Sequence, residues 1–243
     1  MKMLPAITIG IWTISLYWTM FWVGVMAMGV LLVKRRKLYD LSLIGAIAAN
    51  ILITIFGVVG AKLLGALQNL SNVRIHGMSV AGFSFFGAVY VVPLGLMLFA
   101  RPLGSTKLKI LDAIAPCMAA IVAFMRVGCF LNGCCGGTEV SLAGFTFEWP
   151  VQVIESLGDF LVLGLILHLE ESCKIPGKLY AVFLGGYGIL RFFVEFLRDT
   201  EKRLLGLGDG QWLAILAILI SIFVFRSVLM EKFKRKECAN EKV

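Results

Sequence analysis

The sequence has no hydrophilic stretch long enough to fold by itself, and no internal repeat, low-complexity tract or linker. A second, water-soluble unit is not expected, so residues 1–243 read as a single integral membrane domain. Its six cysteines, Cys117, Cys129, Cys134, Cys135, Cys173 and Cys238, are too scattered along a long apolar chain to form the disulfide framework of a short secreted protein. Histidine is scarcer still: His76, in the loop stretch RIHGMS, reads as solvated or interfacial, and His168 as interfacial. The first apolar run, about Ile7 to Val33, is too long for a signal-peptide core and no small-residue cleavage site follows, so it is expected to stay as a helix.

What is present is hydrocarbon. Hydrophobic residues make up 59% of the chain and the mean hydropathy is +0.90, beyond what soluble cores reach. A helix needs about 20 residues to cross roughly 30 Å of bilayer. The apolar segments predict spans at 7–33, 41–66, 82–100, 109–131, 150–169, 179–198 and 210–230. The expected fold is therefore all-α, a polytopic membrane protein with about seven transmembrane helices.

The net charge of +8 would suggest nucleic acid in a soluble protein. Here the basic residues gather at helix ends: Lys34, Arg35, Arg36 and Lys37; Arg101, Lys107 and Lys109; Lys232, Lys234, Arg235 and Lys236. That is the positive-inside pattern, so these ends are expected in the cytoplasm and no nucleic-acid partner is expected. The amino terminus and the loops near 67–81, 132–149 and 199–209 then lie outside, with the carboxyl terminus inside.

On that frame the polar residues converge on the outer leaflet. Tyr187, Arg191, Glu195 and Arg198 follow one another at steps of four, four and three, one stripe of a helix. Gln152, Glu155 and Asp159 form a similar stripe, and Arg126 and Lys62 end two other helices. Ionisable groups at membrane depth cost several kcal/mol unless they find partners or a wet cavity. Structural pairing of Arg191 with Glu195 and of Arg126 with Glu155 is one reading. The gathering of the whole set at one depth favours another, an anionic lipid headgroup gripped by guanidinium forks.

Behind Arg126 stands GCFLNGCCGG. Its glycines allow close backbone approach and exposed N–H groups that can hold an oxyanion. Cys129, Cys134 and Cys135 are small packing residues, a disulfide-forming set, or a nucleophile beside Arg126. The C-x4-C-C spacing lacks the two-pair pattern of zinc sites and has no neighbouring histidine, so no metal is expected.

The run from Arg126 to Gly137, with Asn132 between, resembles the signature Gly-Arg-x-Gly-Asn-Phe-x-Asn-x-Glu-x-x-Gly of the bacterial phosphatidylglycerol–prolipoprotein diacylglyceryl transferases. Asp112-Ala-Ile-Ala-Pro116 resembles the lead into that signature, Pro150-Val-Gln152-Val-Ile-Glu155 its Pro-x-Gln-x-x-Glu, and Tyr187 to Arg198 its Tyr-Gly-x-x-Arg-Phe-x-x-Glu-Phe-x-Arg. Gly210-Gln211 matches the Gly-Gln that opens its last helix.

The resemblance implies a seven-helix transferase of lipoprotein biosynthesis in the bacterial plasma membrane, without cofactor. It would move the diacylglyceryl group of phosphatidylglycerol to the lipobox cysteine of a preprolipoprotein, with its site facing the outer leaflet. Carried over by position, Arg126, Arg191 and Glu195 are catalytic, and Arg198, Tyr187, Asn132, Gly137, Gln152 and Glu155 bind substrate. The family's histidine base falls at Phe86, its asparagine and glutamate at Cys129 and Cys134, a tyrosine at Thr19 and an arginine at Lys62. These departures leave two alternatives: a divergent paralogue with another acceptor, and a non-catalytic anionic-lipid carrier.

Overall fold

The computed structural model describes residues 6–9, 12–142, 145–172, 175–198, 200 and 202–240, so that Cys173 lies outside the described residues. Eight α-helices occur among them: α1 (Leu16–Arg35), α2 (Leu43–Gln68), α3 (Leu70–His76), α4 (Phe85–Phe99), α5 (Lys107–Asn132), α6 (Val151–Ser172), α7 (Lys178–Val194) and α8 (Asp209–Asn240). Three antiparallel hairpins join or precede them: β1 (Ala6–Ile9) with β2 (Trp12–Ser15), β3 (Glu139–Leu142) with β4 (Phe145–Glu148), and β5 (Lys202–Leu204) with β6 (Leu207–Gly208).

Six helices are long and apolar enough to cross a membrane, and α4 is a shorter apolar helix. The protein is an all-α polytopic membrane protein, as expected. Several details differ from the sequence reading: the expected loop near 67–81 contains α3, and α7 ends at Val194 in a 3-10 turn rather than running to 198. The first helix begins at Leu16, not Ile7, because the preceding residues pair as a hairpin from Ala6↔Ser15 to Ile9↔Trp12. The third expected span shrinks to 15 residues, about 22 Å of helix.

The bundle is built around α5. Every residue from Ile110 to Ala123 is buried, which a helix achieves only with neighbours on all sides. Those neighbours are α1, α4, α6 and α7, while α2 packs on α4 and α8 on α7. The outer helices turn Trp22, Met26, Ile44, Leu98, Leu161 and Phe223 outward, an apolar coat suited to lipid. Where α2 meets α4, a Cβ on Gly60 would come within 2.5 Å of the Gly87 carbonyl oxygen, so the two backbones touch.

Polar contacts fix the ends. The side chain of Ser42 accepts from Gly45 N at 2.9 Å and caps α2. Arg35 pairs with Glu170, which also accepts from the Tyr39 hydroxyl, tying α1 to α6. Asp112, buried on α5, accepts backbone N–H groups of Gly177, Leu179 and Tyr180 at 2.7, 2.9 and 3.2 Å. These donors open α7 and have no partner within that helix, so a carboxylate from another helix satisfies them and meets the positive end of the helix dipole.

Asp112→Ala strands those buried N–H groups, and its expected cost is about 1–3 kcal/mol. Thermal unfolding in detergent should show a lowered midpoint, with Asp112→Asn between it and the parent; equal midpoints would remove Asp112 from the forces that seat α7.

Candidate active site

Glu155 on α6 is 2% exposed and stands among three guanidinium groups. Arg126, on the last two turns of α5, places Nε 2.8 Å from Glu155 Oε2. Arg191, on the last turn of α7, pairs through one nitrogen with Glu155 Oε1 and through Nη2 with Glu195 Oε2 at 2.7 Å. Arg198, just beyond the 3-10 turn Glu195–Leu197, reaches Glu155 Oε2 at 3.7 Å and Glu195 Oε2 at 3.9 Å. Both pairs read from the sequence are present, and Glu155 joins them into one network. Asp159 lies one turn along α6 from Glu155, 2% exposed.

The arginines of the network line one of two adjacent chambers that share wall residues. The polar chamber, about 290 Å³, is bounded by Arg126, Tyr187, Arg191, Glu195, Arg198 and the start of α8 at Asp209 and Gly210. In it the Tyr187 hydroxyl and the Arg198 Nε and Nη1 atoms are buried with no hydrogen-bond acceptor or donor among the described residues. Gly210 is needed there, since a Cβ would lie 2.7 Å from Glu195 Oε1. The second chamber, about 340 Å³, runs between α1, α2, α4 and α5 and is walled by apolar side chains such as Phe21, Met28, Ile53 and Met118. Trp18, Val58 and Phe83 line it and are 50%, 40% and 51% exposed, so it communicates with the outside of the bundle. Arg126, Cys135, Phe83 and Phe85 belong to both chambers.

The thiols sit at that junction because of how α5 ends. Gly133 takes φ 65°, the left-handed region open to glycine, and donates to Phe130 O at 3.1 Å, while Cys134 N donates to Cys129 O at 3.1 Å. This is a Schellman closure, and it curls the chain back over the last turn. Cys134 and Cys135 thereby come beside Cys129, and the three sulfur atoms lie within 4.8 Å of one another. Cys135 itself has φ 61°, costly for a residue with a Cβ. Hydrogen bonding from the Cys129 thiol, with the charges of Arg126 and Arg198, pushes the Cys135 thiol down against the opposing effect of burial.

The remaining expected residues divide. Asn132 lines the apolar chamber. Gln152 and Gly137 line neither: Gln152 Nε2 donates to Cys134 O at 2.8 Å and pins the cysteine loop, and Gly137 packs with no room for a Cβ beside Trp149, its N–H bonded to Trp149 O at 3.1 Å. Phe86 fills its place with an aromatic cluster, its ring 5.3 Å from that of Tyr187. His76 and His168 are exposed and line neither chamber. Lys62 donates to Ala81 O at 2.5 Å and lies over the Phe83 ring. The Thr19 hydroxyl bonds back to Ser15 O at 3.0 Å, whereas Tyr17 lines the apolar chamber beside the thiols. Tyr17 was missed by position-for-position matching; its signal is a tyrosine two residues earlier on the same helix.

The family model described as prolipoprotein diacylglyceryl transferase matches residues 5–226. The chain belongs to the prolipoprotein diacylglyceryl transferase family. It is 28% identical over 245 residues to the phosphatidylglycerol–prolipoprotein diacylglyceryl transferase of Clostridium tetani, covering 90% of this chain and 94% of that one. It is 28% identical over 244 residues to the second such transferase of Clostridium perfringens, covering 93% and 94%. With the protein of that name in Polynucleobacter asymbioticus it shares 32% identity over 158 residues, 60% of each chain. This family member is thus a membrane-embedded enzyme of the transferase class.

Glu155 contacts all three arginines and Glu195 only two, so Glu155→Gln should destabilise more, by about 3–5 kcal/mol. Thermal melts of Glu155→Gln and Glu195→Gln in detergent check this ranking, and the reverse order would make Glu195 the hub.

Proposed function

We propose that this protein moves the diacylglyceryl group of phosphatidylglycerol to the thiol of the lipobox cysteine in a preprolipoprotein, releasing glycerol phosphate. The supporting observation is a chamber of apolar lining that shares Arg126 with an adjacent chamber lined by arginine. Acyl chains have a place in the first and a phosphodiester in the second, with the glycerol carbon between them at the junction.

The reaction displaces a phosphate from carbon, so negative charge grows on the phosphate oxygens as the C–O bond breaks. Arg126 and Arg191 stabilise that charge where it develops. Glu155 and Glu195 hold the guanidinium planes in place beforehand, so little reorganisation is left for the reacting step. Each arginine carries five N–H donors, more than two carboxylates can engage, and Arg198 and Tyr187 retain donors for the headgroup. On this reading the amino terminus lies outside, the carboxyl terminus in the cytoplasm and the headgroup chamber in the outer leaflet, an orientation that the basic helix ends support. A phospholipid enters sideways, past Trp18 and Val58.

The deciding experiment incubates the purified protein with labelled phosphatidylglycerol and a lipobox peptide and looks for the diacylglyceryl thioether by mass spectrometry. Product is expected, with Arg126→Ala and Arg191→Ala lowering turnover by about 10²–10³-fold. Arg191→Lys should fall between, since it keeps the charge and loses the planar fork. Lipid retained without any thioether, beside a working control enzyme, overturns this reading in favour of another acceptor or a carrier.

A further inference from the structure

Thiol alkylation needs a thiolate, and the carboxylates lining the polar chamber are Glu195, which is paired with Arg191, and Asp209. Phe86 cannot take a proton, and among the described residues no histidine lines either chamber. Beside the chambers stand three clustered thiols.

We propose that Cys129, Cys134 and Cys135 bind a zinc ion whose fourth coordination position receives and activates the acceptor thiol. This rests on the transferase reading above. Three protein ligands and one open position is the arrangement of catalytic zinc, whereas structural zinc is closed by four. Tetrahedral zinc with thiolate ligands at about 2.3 Å holds its sulfurs about 3.8 Å apart. The three sulfurs here, within 4.8 Å of one another, reach that spacing by small side-chain rotations. The spacing C-x4-C falls within the range used by zinc ligands, and the Schellman closure brings Cys135 in as the third.

The surroundings favour an ion with one closed and one open side. Cys129 is buried and Cys135 exposed. All three thiols line the apolar chamber and Cys135 also lines the polar one, so the open position faces the chamber junction. Zinc with three thiolates carries one net negative charge, and Arg126, three residues before Cys129 on the same helix face, offsets it. Gln152, bonded to Cys134 O at 2.8 Å, fixes the loop that carries two of the ligands.

The step balances without an oxidant or reductant. The acceptor thiol loses its proton to solvent on coordination. Its sulfur then attacks the glycerol carbon, an S–C bond forms, the C–O bond to phosphate breaks, and the electron pair leaves on the phosphate oxygen. The product thioether is a weaker ligand than a thiolate and dissociates.

The test uses the full chain in detergent, reduced with a phosphine, loaded with zinc and desalted. One zinc per chain is expected, with at least a ten-fold loss of affinity in each of Cys129→Ser, Cys134→Ser and Cys135→Ser. Cobalt substitution should give tetrahedral d–d bands and a thiolate charge-transfer band, and a lipobox peptide should shift the d–d bands while its Cys-to-Ser version does not. Chelator treatment of the unsubstituted chain should abolish thioether formation and zinc should restore it, a control independent of how the variants fold. No retained zinc, a disulfide joining two of the three cysteines in protein alkylated directly from membranes, or a cobalt spectrum indifferent to the peptide each overturns the site. Thioether formed by chelator-treated protein leaves the transferase reading standing and removes the zinc. A peptide-responsive cobalt spectrum without thioether does the opposite.

Discussion

A single buried carboxylate holds the site together. Glu155 is among the most deeply buried polar groups of the chain, and ionised in hydrocarbon it would be prohibitively costly alone. Guanidinium groups from α5, α7 and the turn after α7 surround it. Arg126 pairs with Glu155, and Arg191 and Arg198 share it with Glu195, so the elements that bear these cations are drawn to one point. A network of this kind contributes little net stability compared with apolar packing of the same volume. What it supplies is position, with three forks held in fixed relation at the wall of a cavity.

The same helix that provides Arg126 also ends at the chamber junction, and the manner of its ending matters as much as its residues. Fourteen consecutive buried residues make α5 the axis of the bundle. The left-handed Gly133 then reverses the chain at its end. The fold thereby sets both the arginine and the thiols against the same space, and a shift of α5 would move them together.

Much of this was legible in the sequence, and the reasons differ by feature. Hydropathy located the long helices because the bilayer leaves the backbone no other choice. The shared face of Tyr187 and Arg191 was readable from helical spacing, although α7 stops at Val194 and Arg198 reaches the site from beyond a 3-10 turn, and the pairing of Arg126 with Glu155 was readable from the scarcity of charge. The β1–β2 hairpin was not, because hydropathy averages over a window and is blind to period: Ile7, Thr8, Ile9 and Thr13, Ile14, Ser15 alternate in the way of strands. Nor could sequence show that Gln152 supports the cysteine loop rather than lining a chamber, since both roles use a buried amide on the same helix face. The clustering of three thiols depended on a backbone reversal that spacing along a helix does not reveal.

The brevity of α4 carries a physical consequence for the lipid. At about 22 Å it is shorter than a hydrocarbon layer of roughly 30 Å, and its first residues, Phe85 and Phe86, form part of the polar chamber. Such hydrophobic mismatch is relieved when the surrounding leaflet thins or dips toward the short element. A leaflet that dipped beside α4 would stand closer in height to Arg126, which couples the thickness of the surrounding lipid to access to the polar chamber.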